Sequence, residues 1–300
     1  MIELRCAKLL TISANAKINL TLDILGKRED GYHDVELVLQ SIALADTLEL
    51  AKIDSGIKFD MIAEDVSGVE TLPNDKNNLA YRAAEVVMNN YKLDSGVFIR
   101  LTKRIPIAAG LAGGSTDAAA VIRGMNKLFK LRMTTDEMCE LGAEIGSDVP
   151  FCIVGGTCLA YGRGEKLKRL ADLPTIPIVL IKPRGVIPTA WAYKTYDSDK
   201  SFEHPDTAAI CEAINLSDTK AVCELIFNVM ERVAVKKYPA IDTYKDRLLE
   251  AGAVAAMMSG SGPSLFGITK SHDDAIRIAE SFKESGVQVF VTKTVGRFEN

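Results

Sequence analysis

Several kinds of chemistry are missing from this chain. Its six cysteines, Cys6, Cys139, Cys152, Cys158, Cys211 and Cys223, form no C-x-x-C pair, and its three histidines, His33, His204 and His272, are scattered. Clustered thiolates and imidazoles for a zinc site are therefore lacking, and reduced, buried thiols are the plain reading. There is no excess of positive charge: the formal net charge is -4, so no broad basic face draws in nucleic acid or an anionic membrane. An anionic ligand has to be held locally. Uncharged apolar runs of about 18 residues are also absent. The first residues carry Arg5 and Lys8 but no long apolar core or small-residue cleavage site, so a cytoplasmic protein is expected. Neither a Gly-Lys-Ser/Thr Walker ending nor a G-x-G-x-x-G fingerprint occurs.

What is present is globular. Hydrophobic residues at 47% and charged residues at 25% leave no reason to invoke disorder. The 300 residues exceed the length of one ordinary domain, so two are expected. From Ile12 to Ile24 the even positions are apolar and the odd ones polar, which is strand periodicity. Lys17 and Asn19 then point the same way, roughly 7 Å apart. Asp30-Gly31 marks a turn, and strands are expected at 35–42, 47–53 and 57–62. A helix follows at 79–91, then a strand at 97–101. A second helix comes after a glycine-rich loop, and Thr134 with Glu137 reads as the capping box of a third that ends at Gly146. Two prolines near 171–177 mark the expected boundary between a domain over 1–170 and another over 171–300. In the second, strands at 176–181, 253–258, 264–268 and 287–293, with several helices and one at 273–284, suit a ferredoxin-like α+β layer.

Two segments invite a chemical reading. The run from Pro106 to Asp117 joins a strand to a helix with small residues almost throughout, so backbone can approach a ligand closely. Unpaired N–H groups at the helix start favour phosphate, and the hydroxyls of Ser115 and Thr116 can bond it or help hold magnesium. Read alone, the loop also allows a plain tight connection with Ser115 or Thr116 as N-cap. Likewise Ser259-Gly260-Ser261-Gly262-Pro263-Ser264, between two strands, is in isolation an ordinary hairpin loop.

Together, Ala14 to Leu20, Pro106 to Ala119 and Ser259 to Gly267 resemble the three motifs of the galactokinase, homoserine kinase, mevalonate kinase and phosphomevalonate kinase superfamily, in order. Asp30-Gly31-Tyr32-His33 and Gly146 to Phe151 are similar to its diphosphocytidyl-methylerythritol kinases in particular. The resemblance implies an α+β two-domain small-molecule kinase fold, with a ribosomal-protein-S5-domain-2-like α/β domain followed by the ferredoxin-like one. It implies ATP and Mg2+ as cofactors and a cytidine-diphosphate-linked methylerythritol as substrate, in a monomer or homodimer. Lys17 and Asp148 are then the catalytic pair, with Asp148 accepting the hydroxyl proton and Lys17 orienting it. Pro106, Ala108, Gly110, Leu111, Ala112, Gly113, Gly114, Ser115 and Thr116 surround the phosphates, and Asn78 and Lys103 contact adenosine. Asn19, Tyr32, His33, Asp148, Thr189 and Tyr193 bind substrate, the two tyrosines sandwiching cytosine while His33 bonds its edge. Metal ligands are not assigned. Two rivals stay open: a superfamily kinase for mevalonate, homoserine or a sugar, and a non-catalytic nucleotide-binding relative.

Overall fold

A computed structural model describes residues 9–64, 72–198, 203–283 and 286–298. Cys6, Arg5, Lys8 and the expected helix end at Glu284 lie outside them. In chain order the elements are β1 (Leu10–Lys27), β2 (His33–Ile53), β3 (Ile57–Ala63), α1 (Leu79–Tyr91), β4 (Gly96–Lys103), α2 (Gly113–Phe129), α3 (Thr135–Ile145), α4 (Val149–Val154), β5 (Thr157–Gly162) and β6 (Lys166–Arg169). There follow β7 (Pro177–Lys182), α5 (Thr189–Asp197), α6 (Thr207–Asn215), α7 (Thr219–Leu225), β8 (Phe227–Asn228), α8 (Val229–Lys237), α9 (Ala240–Glu250), β9 (Ala255–Met258), β10 (Leu265–Ile268), α10 (His272–Glu280) and β11 (Gln288–Lys293).

Two sheets organise the chain. The first runs β3-β4-β2-β1-β8, with β5 on β2 and β6 on β5. The second runs β11-β7-β10-β9, all antiparallel. Its four strands in chain order thus lie 4-1-3-2, with helices between the first and second and between the third and fourth, which is the ferredoxin-like arrangement. The two strands expected at 35–42 and 47–53 are one continuous strand, β2, because both halves pair with β1 across a local register shift. Helix α4 and strands β5, β6 and β8 were not anticipated.

The alternation in β1 hides a turn-over. Ala14, Leu22 and Ile24 pack in one core with α1, α2 and α4, whereas Ala16, Ile18 and Leu20 pack against Ile178, Leu180 and Phe266 of the second sheet. Register shifts between Asn15 and Lys17 and between Asn19 and Thr21 bracket that middle segment. Such irregularities re-aim side chains locally. Lys17 and Asn19 lie within that bracketed segment.

The end of the chain folds back on the first sheet. Thr294 bridges to Ile42 and Arg297 to Gly155, the Val295 N–H donates to the Ser41 carbonyl at 3.0 Å, and Arg297 pairs with Asp172 at 3.1 Å. Earlier, β8 lies parallel to β1 at Thr21 and Leu22. The strap at the chain end and β8 therefore both tie the second half to the first, besides the direct connection.

Candidate active site

Lys17 is buried, and its ammonium donates to Asn19 Oδ1 at 2.8 Å and to the Gly110 carbonyl at 3.1 Å. Its backbone N–H donates to the Leu111 carbonyl at 3.2 Å. An ammonium carries three N–H bonds, so one is left for an incoming acceptor. The expected shared face of Lys17 and Asn19 is thus observed.

The loop from Pro106 to Ala112 reaches α2 through three left-handed residues: Ala108 (φ 51°), Gly110 (φ 75°) and Ala112 (φ 58°). Two of these are alanine, for which that conformation costs roughly 1 kcal/mol or more each. Ala112 is the N-cap and supplies no side-chain hydrogen bond, so the N–H groups of Gly113, Gly114 and Ser115 project unpaired from the positive end of the helix dipole. Neither Ser115 nor Thr116 is the cap, because both lie inside the first turn. Thr116 Oγ1 donates back to the Gly113 carbonyl at 2.8 Å, whereas the Ser115 hydroxyl has no partner among the described residues. Pro106 and Leu111 are buried behind this turn, and Ala108 and Gly114 face solvent.

The glycine-serine turn after β9 closes onto the same loop. Ser259 Oγ donates to the Gly110 carbonyl at 3.0 Å, so that one oxygen receives both Lys17 and Ser259. A Cβ on Gly110 would stand 2.2 Å from the Ser259 carbonyl oxygen, and one on Gly260 would stand 2.9 Å from the Gly110 oxygen and 3.4 Å from the Lys17 nitrogen. Only glycines permit this approach. Asn228 steadies the turn by donating to the Met258 and Gly260 carbonyls at 2.8 and 2.9 Å, and Thr189 Oγ1 lies 3.1 Å from Ser261 Oγ.

Asp148 holds the N-cap position of α4 without a side-chain cap bond, and among the described residues its half-buried carboxylate has no hydrogen bond or ion pair. Its proximity is legible in its effects on others. Burial first, and then the Asp148 charge, pushes the Tyr193 hydroxyl up to about 12, and the same two causes hold the Cys152 thiol well above its usual range while Lys17 opposes them. Lys17 and Asp148 thus both lie within electrostatic reach of Cys152. Among the described residues no ion pair joins Lys17 to Asp148; the Lys17 ammonium bonds Asn19 and Gly110.

Beyond Asp148 lies an aromatic corner. The His33 and Tyr193 rings are 4.8 Å apart and tilted by 30°, and His33 Nε2 is 2.6 Å from Asp197 Oδ1. Tyr32 is 55% exposed, with the Arg163 guanidinium 5.0 Å from its ring centre. One face of Tyr32 is thereby covered and the other is free.

The models described as GHMP kinases N terminal domain and GHMP kinases C terminal match residues 78–156 and 208–288. The 4-diphosphocytidyl-2-C-methyl-D-erythritol kinase of Acetivibrio thermocellus is 45% identical over 95% of this chain and 99% of its own length, and that of Bacillus pumilus is 47% identical over 94% and 96%. The chain belongs to this family of GHMP kinases. A crystal structure of 4-(cytidine 5'-diphospho)-2C-methyl-D-erythritol kinase superposes with a TM-score of 0.80 at 32% identity, covering 96% of this chain and all of that one. Homoserine kinase from Cytophaga hutchinsonii, at 18% identity and a TM-score of 0.73 over 96% of this chain and 95% of its own, shares the fold.

As a GHMP kinase the chain is an ATP-using phosphotransferase for a small molecule. No described helix is long and apolar enough to cross a membrane. Two residues expected near adenosine are engaged within the protein. The Asn78 amide caps α1, accepting from the Ala80 N–H at 2.9 Å and donating to the Pro73 carbonyl at 2.8 Å. Lys103 lies buried between Asp46 and Asp117, 2.7 Å from the latter. Burial alone would lower the Lys103 ammonium, but the two carboxylates outweigh it and raise it. Burial also holds the Asp117 carboxyl well above the usual range despite that ammonium.

This triad sits at the root of the phosphate loop. Asp46 Oδ1 also accepts the Ile105 N–H at 2.8 Å, and a Cβ on Gly113 would meet Lys103 Nζ at 3.4 Å. Gly113 therefore points its missing side chain inward, toward Ile105 and Lys103, and not toward a ligand. Sequence reasoning missed Asp46, Asn228, Arg163 and Asp197. Asp46 interrupts the apolar even positions Ile42, Leu44, Leu48 and Leu50, which was a usable sign for it; nothing local marked Asp197, 164 positions from His33.

Proposed function

We propose that this kinase phosphorylates the 2-hydroxyl of 4-diphosphocytidyl-2-C-methyl-D-erythritol with ATP, in the cytoplasm, as a step of the non-mevalonate route to isoprenoid precursors. What supports the reading is the Lys17 ammonium bonded to the loop that leads into the uncapped start of α2, and the Asp148 carboxylate whose charge bears on Tyr193 of the Tyr32, His33 and Tyr193 corner. The first three suit a transferring phosphoryl group and an acceptor hydroxyl. The corner offers stacking faces and a ring edge to a base.

In phosphoryl transfer the bond from the substrate oxygen to the γ-phosphorus forms while the bond to ADP breaks, through a loose transition state. The protein's share is placement and charge stabilisation. In this reading the N–H groups of Gly113, Gly114 and Ser115 receive phosphate oxygens, the free Lys17 N–H faces the charge on the transferring group, and Asp148 takes the hydroxyl proton late. Thr189 borders the acceptor through its contact with Ser261, and Asn19 holds the Lys17 ammonium in place.

The Ser115 hydroxyl, lacking a partner among the described residues at the first turn of α2, suits a Mg2+ ion that arrives with the nucleotide and keeps mostly phosphate and water ligands. When bound, the ion neutralises phosphate charge. We also divide the chain into an ATP-binding part, 1–170, and a ferredoxin-like part, 171–300, supported by the start of the second sheet at Pro177. The test is an ATP-dependent assay of the purified protein on the cytidyl substrate with product identification, set against mevalonate, homoserine and a sugar. Turnover of the cytidyl substrate alone is the expected result, and preference for another acceptor would refute the reading.

A further inference from the structure

His33 is held from several sides. It opens β2, pairs through its backbone with Lys27 of β1, lies against Tyr193, and meets Asp197 at the end of α5 through Nε2. The second oxygen of Asp197 takes the Lys27 ammonium at 2.7 Å. Although the His33 side chain is only 7% exposed, its Nδ1 has no hydrogen-bond partner among the described residues and is not among the sealed polar atoms that lack one. Nδ1 is thus the ring atom that an arriving group can reach.

The chemistry of the neighbours determines what that atom offers. An ionised carboxylate only accepts hydrogen bonds, and the bonds from Lys27 and His33 hold Asp197 below the usual carboxylate range. Nε2 must then carry a proton. In a neutral imidazole one nitrogen donates and the other accepts, so Nδ1 presents a lone pair.

We propose that Asp197 is a positioning residue that fixes His33 as the Nε2–H tautomer, making Nδ1 an acceptor that selects the exocyclic amino group of cytosine over the carbonyl that uracil carries there. This rests on the cytidyl reading above and adds the residue that enforces it. With uracil, two acceptors would face each other and both would lose a partner. A site built for a hydrogen bond rejects such a mismatch more strongly than an apolar pocket does.

Two measurements test this, one of which needs no substrate. In protein carrying 15N-labelled histidine at pH 8, with His33 assigned by comparison with His33→Gln, the Nε2 resonance should be that of a protonated nitrogen and Nδ1 that of an unprotonated one. Asp197→Asn, in which the amide can donate to Nε2, should shift the balance toward Nδ1–H. In parallel, the ratio of kcat/KM for the cytidyl substrate to that for its uridyl analogue should be roughly 100 or more in the parent and fall at least about tenfold in Asp197→Asn, chiefly through KM. An Nδ1–H tautomer or an imidazolium in the parent overturns the proposal. So does an Asp197→Asn ratio within about twofold of the parent's. Equal efficiency of the parent on both bases overturns the cytidyl reading itself; the resonance pattern tells this apart from a failure of Asp197 to set the tautomer.

Discussion

Replacing Lys103 with methionine separates a buried strut from a ligand contact. Lys103 is 3% exposed, Asp46 0% and Asp117 3%, and all three charges meet beneath the phosphate loop. Methionine restores most of the volume but none of the charge, leaving two carboxylates enclosed without a counter-ion. Breaking a buried pair from one side costs about 3–5 kcal/mol. The Lys220–Glu224 pair on α7, 86% and 67% exposed, would by contrast contribute under about 0.5 kcal/mol. At roughly 2–3 °C per kcal/mol for a chain this long, Tm should fall by about 6–15 °C, followed by circular dichroism or calorimetry. The pH dependence supplies a sign. Asp117 has a raised folded-state value, so its ionisation opposes folding: the penalty is absent below the unfolded value, about 4, and grows as pH rises through the folded one. Loss of Lys103 deepens that penalty, so the Tm gap between variant and parent should narrow from pH 8 toward pH 5. A gap under about 2 °C, or one that widens on acidification, would refute the argument. Lost nucleotide affinity at unchanged Tm would instead return Lys103 to the adenosine contact implied by the resemblance.

Asp148→Asn and Lys17→Met should each lower kcat roughly 100-fold or more with little change in Tm, since one removes the proton acceptor and the other the charge facing the transferred group; near-parental turnover in either would reject its role. Gly110→Ala should abolish activity and lower stability by at least about 1–3 kcal/mol, because its Cβ would stand 2.2 Å from the Ser259 carbonyl at a left-handed backbone position. A soluble, fully active alanine variant would show that the two loops need not touch. Asn78→Ala should cost about 1 kcal/mol in urea unfolding through loss of the α1 cap, and an unchanged midpoint would mean that the cap contributes nothing.

Much of the architecture was legible because periodicity reports burial. The capping box at Thr134 and Glu137 is present as expected, and α1 and α2 follow their apolar stripes. Where the sequence misled, the cause is physical. In α4 every residue from Val149 to Val154 is buried, so there is no polar face to give a period, and β8 is two residues long. The even positions of β1 look like one face but serve two cores, because register shifts are invisible to a count of apolar residues. At the site, Lys17, Gly110 and Ser259 were each legible as candidates, but their meeting at a single carbonyl oxygen depends on tertiary packing. The same holds for Asp197, an ordinary acidic residue at a helix end until α5 packs beside His33.

The strap and β8, which tie the second half to the first sheet, bear on how such a chain comes to be folded at all. During synthesis the first sheet emerges long before β8 and the strap at Thr294–Phe298 exist to complete it. Until then the β1 edge at Thr21 and Leu22 lacks Phe227 and Asn228, and the apolar row Ala16, Ile18 and Leu20 lacks Ile178, Leu180 and Phe266 of the second sheet, which share its core. An N-terminal half released from the ribosome early would present an open strand edge and a greasy face, the two features that invite aggregation. The polypeptide is therefore one cooperative unit with two cores. A cut after residue 170 divides the cores but orphans the surface between them, and truncated products of this gene should need a chaperone or the missing half to stay in solution.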